Sequence, residues 1–246
     1  IRKQVYEDGC DFEASTCYHR LVLELFLYSA LLGEKTGIEF SQGYNSRLKK
    51  MFEAVRYLLK PNGRMPQIGD NDSGRFLRFA PPGSAVLDMR YVLALGAVFF
   101  DEPELKAYES DDISAAALSV FGREGIGKLK DMGAKGIEAV KSHAFSDSGW
   151  FVMRNSHDYL LVSCGPNGQN SNGGHGHNDK LSFELCLEGE DIIVDPGTCV
   201  YTSEPDVRNL FRSTKYHNTI EVDGKEQNRF HPGFLFAMDN DSGAKA

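Results

Sequence analysis

The period of the apolar residues changes near Lys141, and that change constrains this chain more than any other feature. Upstream, apolar side chains recur at steps of three and four; downstream they alternate, so the chain must build a helical part and then a sheet part. The first expected helix runs from about Glu13 to Leu32. It carries Tyr18, Leu21, Val22, Leu25, Phe26, Ser29 and Leu32 at helical steps, with Gly33 as its stop. A second fits residues 46–60 and is closed by Pro61, Asn62 and Gly63; a third fits residues 88–100, followed by an acidic connector. Between them the Gly- and Pro-bearing stretch 65–83 reads as a long loop, and loops of that length tend to be functional or mobile.

Beyond Lys141, short runs rich in β-branched and aromatic residues are separated by Gly, Asn and Asp, the signature of an antiparallel sheet. In one of them Leu181, Phe183, Leu185 and Leu187 alternate with Ser182, Glu184, Cys186 and Glu188, the period of a half-buried strand. The run from His217 to Gly224 reads as another strand. The glycine-rich segment between the halves reads as a linker containing a helix. The organisation expected is therefore helices over residues 1–112, a linker over 113–140 and an antiparallel sheet domain over 141–246.

A formal charge of -8, with lysines and arginines scattered, argues against a nucleic-acid partner. The most apolar stretch, from Leu21 to Gly33, is broken by Glu24 and is too short to span a bilayer. The chain opens without methionine or a leader, so it is read as part of something longer, and whether an export signal preceded it stays open at this point. Cys10, Cys17, Cys164, Cys186 and Cys199 form no CxxC pair and are odd in number; buried free thiols are expected, with a Cys10 to Cys17 bridge open only for an exported protein.

The densest chemistry lies in Gly173-Gly174-His175-Gly176-His177-Asn178-Asp179, at a strand entrance. Metal sites gather imidazoles and carboxylates from several strands, and the candidates are His175, His177, Asp179, Asp195 and His217. If strands 180–189 and 191–197 pair through the Gly189 turn, an imidazole entering the first can lie beside Asp195 leaving the second. Spacing alone leaves a metal centre and a hydrogen-bonded structural cluster both open.

As an ordered set, the run from Gly174 through Gly224 resembles the sheet-domain signature of the heparinase II/III family of polysaccharide lyases. The run Asp8 to Glu24 resembles the tyrosine-bearing helix of that family's helical toroid. The resemblance implies an α+β fold: the last helices of an incomplete α/α toroid followed by an antiparallel β-sandwich. It implies β-elimination on acidic, uronate-containing polysaccharides, with export to the periplasm or beyond. Carried over by motif, Tyr18 and His175 match the catalytic pair, while His177, Asp195 and His217 match the ligands of a structural zinc. The family's Asn-His pair precedes the tyrosine, upstream of this chain's first residue.

β-Elimination removes the proton α to a uronate carboxylate. It needs donors or a cation to offset the developing charge, a base at that carbon and an acid at the leaving oxygen. A tyrosine can serve if neighbours lower its pKa from about 10, and His175 and Arg212 are candidates to provide that environment. Arg75, Arg78 and Arg212 are candidates to bind an acidic glycan. Other readings are plainer: Tyr18 as a core residue with its hydroxyl at the rim, Glu13 and Ser15 as helix caps, and Asp70 and Asp72 as turn residues rather than calcium ligands. His19 is expected to pack or meet solvent, and His143, His157 and His231 to lie on the surface. Two further functions share the constellation. A uronate C5-epimerase would return the proton from the other face, and a noncatalytic glycan-binding protein would keep only the zinc-stapled sheet.

Overall fold

The computed structural model describes residues 1–77, 86–106, 111–133 and 140–245. Arg78, one candidate for glycan binding, lies outside the described residues, as do parts of the 65–83 loop and of the expected linker.

Helix α1 spans Thr16–Thr36. It starts after Ser15, whose side chain accepts from the Tyr18 amide at 3.2 Å and satisfies one of the free N–H groups of a first turn. The expected stop at Gly33 is displaced by one turn, to Gly37, which takes the left-handed conformation (φ 73°). Gly33 stays inside the helix because the Phe40 ring packs where its Cβ would be, 2.6 Å away. Helix α2, Gln42–Leu58, is capped by Ser41 and buries Leu48, Met51, Phe52, Val55 and Leu58, steps of three and four that make one inward face. Helix α3, Arg90–Phe100, is buried continuously from Tyr91 to Val98, as befits a helix enclosed by others. Helix α4, Asp111–Asp131, breaks its direction at Gly122 (φ 67°) and packs on α3. Much of the expected linker therefore belongs to the helical layer.

The sheet is a five-stranded antiparallel meander: β1 His143–Phe145, β2 Trp150–Arg154, β3 Tyr159–Ser163, β4 Ser182–Leu187 and β5 Glu190–Ile193, in that spatial order. Strands β4 and β5 turn through Glu188 and Gly189 (φ 49° and 79°), with Leu187 opposite Glu190. Two positive φ values are what a tight hairpin turn demands. The strand expected over 217–224 is absent; only an isolated Val222–Lys225 bridge forms there, and Ile220 and Val222 are exposed. With no neighbouring strand among the described residues to take up its backbone groups, β propensity alone does not make a strand.

The alternation in β4 holds, with the polar side inward. Ser182, Glu184 and Cys186 are buried, whereas Phe183 and Leu185 are half-buried and Leu187 is exposed. Glu184 is accommodated because the end of α2 brings Lys60 against it: Nζ lies 3.2 Å from Glu184 and 2.6 Å from Asp191, with both members of the Lys60–Glu184 pair almost wholly buried. The same junction seats Trp150, Val152, Tyr159 and Leu161 on the helices, with the Tyr159 hydroxyl donating to Leu58 O at 2.9 Å. Tyr57 stacks on His143 at 4.1 Å, which draws that histidine off the open surface where it was expected. One apolar core thus runs from the helices into one face of the sheet. The other face carries Phe151, Met153, Leu160, Val162, Phe183 and Leu185 in register across β2, β3 and β4.

His19 resolves to packing. It is fully buried, accepts from the Asp11 amide through Nδ1 (3.1 Å) and meets Met51 O through Nε2 (3.1 Å). All five cysteines are free, so Cys10 and Cys17 are unbridged, and Cys199 departs from the expectation of burial by being exposed. No helix among the described residues is long and apolar enough to cross a membrane.

Candidate active site and metal centre

Three segments meet where the helices join the sheet: the start of α1, the loop after α2, and the histidine loop leading into β4. The loop after α2 is fastened to α1 by side chains, since Ser15 Oγ donates to Asp70 O (2.7 Å) and Thr16 Oγ1 to Pro66 O (2.9 Å). It reaches the histidine loop through the Asp70 amide, which donates to His175 O at 2.9 Å. Gly69 (φ 65°) makes that approach possible, because a Cβ there would lie 2.5 Å from His175 O and 2.6 Å from Ala14 O.

Asp70 is the hub. Its carboxylate is fully buried and receives His175 Nδ1 (3.0 Å), His177 Nε2 (3.0 Å), Thr198 Oγ1 (3.3 Å) and both terminal nitrogens of Arg208 (2.7 Å each). Burial pushes its pKa up, but the hydrogen bonds from His175, His177 and Arg208 outweigh this and hold it well below the carboxylate range. A charged Asp70 makes each histidine nitrogen facing it a donor. His175 therefore presents Nε2 outward, 3.4 Å from a Glu13 carboxylate oxygen, and His177 is left with an unprotonated Nδ1. Glu13, expected as a helix cap, instead stands beside the exposed edge of His175.

Tyr18 lies flat against His175, with ring centroids 3.7 Å apart and planes 19° from parallel. Its hydroxyl is 3.2 Å from Asp72 Oδ2 and 3.3 Å from the Tyr201 hydroxyl. Its pKa is raised to about 12, by burial first and then by Asp72 and Asp70, with the Tyr201 hydrogen bond acting in the opposite direction. The expectation of a lowered value is thereby corrected: carboxylates surround this oxygen on the loop side, and at neutral pH Tyr18 holds its proton.

His177, Asp195 and His217 each offer a ligand atom within 4.8 Å of the other two. His217 Nδ1 contacts Asp195 Oδ2 at 2.6 Å, as the hairpin turn brings the end of β5 beside the loop entering β4. His177 Nδ1 and His217 Nε2 are buried and without a hydrogen-bond partner among the described residues. Two orphaned imidazole nitrogens beside a carboxylate cost free energy unless something occupies the space between them. Imidazole nitrogens with a carboxylate suit a zinc-like ion, so the residues present fit such a metal. Asp179, also a candidate ligand, turns instead to Lys180 Nζ (3.0 Å).

Arg212 does not reach the site surface. Its guanidinium is buried, donates to the carbonyls of Leu235 (2.6 Å) and Ala237 (3.3 Å), and lies 5.0 Å over the Phe230 ring. Burial, then Arg208, lowers its pKa to about 10, still a cation at neutral pH. Its work is to tie the 235–237 segment down, which corrects the expected role in binding substrate. Arg75 lies 5.6 Å over the Tyr91 ring, whose hydroxyl donates to buried Glu24. Sequence reasoning missed Asp70 as a hub, Arg208, Thr198 and Tyr201. The available signal was Arg208 and Arg212, four residues apart on helix α5 (Pro205–Phe211) and its C-cap, and so on one helix face.

A helical layer joined to an antiparallel sheet carries, at their junction, a tyrosine-histidine stack beside a His-Asp-His cluster, which makes the fold α+β and the cluster a candidate metal centre. The chain belongs to the heparinase II/III family: residues 1–78 match the model described as heparinase II/III N-terminus, and residues 138–241 the model described as heparinase II/III-like, C-terminal. It is similar to a heparin-sulfate lyase of Pedobacter heparinus, 25% identical over 238 residues, covering 92% of this chain and 30% of that protein. A heparin-sulfate lyase of Bacteroides stercoris is 26% identical over 234 residues, with the same coverage. In fold it resembles the crystal structure of a heparan sulfate lyase from Pedobacter heparinus, with a TM-score of 0.66 at 23% identity over 92% of this chain and 32% of that one. The chain thus spans about 30% of the length of the curated relatives it matches.

Proposed function

We propose that this chain is the catalytic junction of a polysaccharide lyase that cleaves acidic, uronate-containing glycans of the heparin and heparan type by β-elimination. The observation that carries the reading is the stack of Tyr18 on His175 at 3.7 Å, next to the His177-Asp195-His217 cluster. Relatives named heparin-sulfate lyases that align over nearly the whole chain support it. In this reading the helices are the end of an α/α toroid, and the open apolar face of the sheet is the inner face of a β-sandwich. A periplasmic or extracellular location follows from the polymeric substrate.

Tyr18 is protonated at neutral pH, so it is the acid that delivers a proton to the departing glycosidic oxygen. His175 is aimed by its Nδ1 bond to Asp70, which leaves Nε2 to donate to, or accept from, the uronate. A zinc ion would be held by His177, Asp195 and His217 and would supply rigidity to the histidine loop rather than an activated water. Because His177 also bonds Asp70, order in that loop passes directly to the carboxylate that aims His175.

The test incubates the full-length protein with a panel of uronate polysaccharides in heavy water, following ultraviolet absorbance and deuterium uptake. Growth of an unsaturated uronate chromophore supports the lyase and names its substrate class. Deuterium at the α carbon without the chromophore contradicts it in favour of a C5-epimerase, and silence on every glycan contradicts it in favour of a binding protein.

A further inference from the structure

The partners of the Tyr18 hydroxyl carry a consequence for a second tyrosine. Tyr18 has one proton, and Asp72 Oδ2, at 3.2 Å, can only accept it. In that arrangement the 3.3 Å contact between hydroxyls has a fixed sense: Tyr201 donates to the Tyr18 oxygen. Tyr201 is held for this. The Arg208 guanidinium lies 4.9 Å over its ring, the Phe236 ring is 5.9 Å away, and Arg208 is itself locked to Asp70. Burial raises the Tyr201 pKa, and Tyr18, Asp70 and Asp72 raise it further, so Tyr201 holds its proton at neutral pH.

We propose that Tyr201 is a further catalytic residue, the hydrogen-bond donor that stabilises Tyr18 as a phenolate. The reacting oxygen must carry negative charge whether Tyr18 gives or takes the proton. In the lyase reading, on which the catalytic consequence rests, the Tyr18 O–H bond breaks and its proton goes to the glycosidic oxygen. That oxygen keeps the electron pair of the breaking C–O bond. The proton α to the carboxylate passes to a general base as its C–H electron pair becomes the new C=C bond; the base then releases that proton to solvent and the phenolate takes one up, which restores both groups. Tyr201 keeps its own proton throughout. The groups facing Tyr18 divide cleanly. Asp72 and Asp70 on the loop after α2 oppose the phenolate, and so does Glu13 before α1, beyond the His175 edge. His175 covers one ring face from the histidine loop, and Tyr201, past the end of β5, supplies the hydroxyl donor.

The experiment places 3,5-difluorotyrosine at position 18, whose fluorines bring phenol titration into an accessible pH range, and follows it by fluorine NMR. Tyr201→Phe is expected to raise the titration midpoint by about 1 to 2 units, the size of a hydrogen bond to a charged group. Asp72→Asn is expected to lower it. An unchanged or lowered midpoint in a folded Tyr201→Phe protein, judged by its fluorine and amide spectra, overturns the assignment without reference to activity. With heparan sulfate as the probe, Tyr201→Phe is expected to lower kcat roughly 10- to 100-fold while KM moves little. A shifted midpoint with full kcat would also overturn the catalytic role. A wild-type protein inert on heparan sulfate and on the other uronate glycans, with the midpoint still shifted, would remove the lyase reading and leave the donor assignment standing.

Discussion

Arg208 and Asp70 face each other as a two-pronged pair, Nη1 to Oδ1 and Nη2 to Oδ2 at 2.7 Å each, with neither side chain exposed. They are 138 residues apart and join the loop after α2 to the helix behind the histidine loop. Removing one member of a buried pair strands the other charge, so Arg208→Leu is expected to cost about 3–5 kcal/mol. Arg208→Lys should recover less than half of this, because a lysine cannot meet both carboxylate oxygens in a planar fork. Urea unfolding of the three proteins checks both statements; a lysine variant as stable as wild type would contradict the second.

The orphaned nitrogens of His177 and His217 make a direct prediction about metal. Zinc at about 100 times its dissociation constant should stabilise the native protein by about 2.7 kcal/mol, which appears as a rise in Tm over the chelated protein. His177→Ala should abolish the response. A melting curve indifferent to zinc and chelator in the wild type would point instead to a purely hydrogen-bonded cluster.

His19 gives a pH dependence of known sign. Burial lowers its pKa from 6.5 to about 4, so between those values the unfolded chain binds a proton that the folded one refuses. Its contribution is complete above pH 6.5 and is lost as pH falls toward 4, to a total of about 3 kcal/mol. Stability measured by urea at several pH values should fall more steeply over that window in wild type than in His19→Gln. Parallel slopes would contradict the assignment.

The parts of this molecule set by local pattern were legible from sequence: three helices near their expected places, the Gly189 hairpin, and the His177-Asp195-His217 group that the hairpin assembles. What could not be read depends on partners far along the chain. The inward sense of β4 follows from Lys60, 124 residues away from Glu184, and no property of the strand itself announces it. Asp70 looked like a turn residue because its histidines lie 105 and 107 positions downstream. Arg212, expected near substrate, is buried because the 235–237 carbonyls need donors, a demand invisible in its own neighbourhood. Gly33 looked like a stop because glycine commonly ends helices, whereas here it makes room for Phe40.

In the proposed lyase reaction the oxygen of Tyr18, stacked on His175, moves the proton that releases the glycosidic leaving group. The most direct measurement is the initial rate of unsaturated-uronate formation from heparan sulfate by full-length wild type and Tyr18→Phe, each shown to be folded and to have the same metal content. Phenylalanine keeps the stack and removes only the hydroxyl, so a loss of roughly 10²- to 10⁴-fold in kcat with little change in KM is expected. A Tyr18→Phe protein that retains the wild-type rate would contradict it.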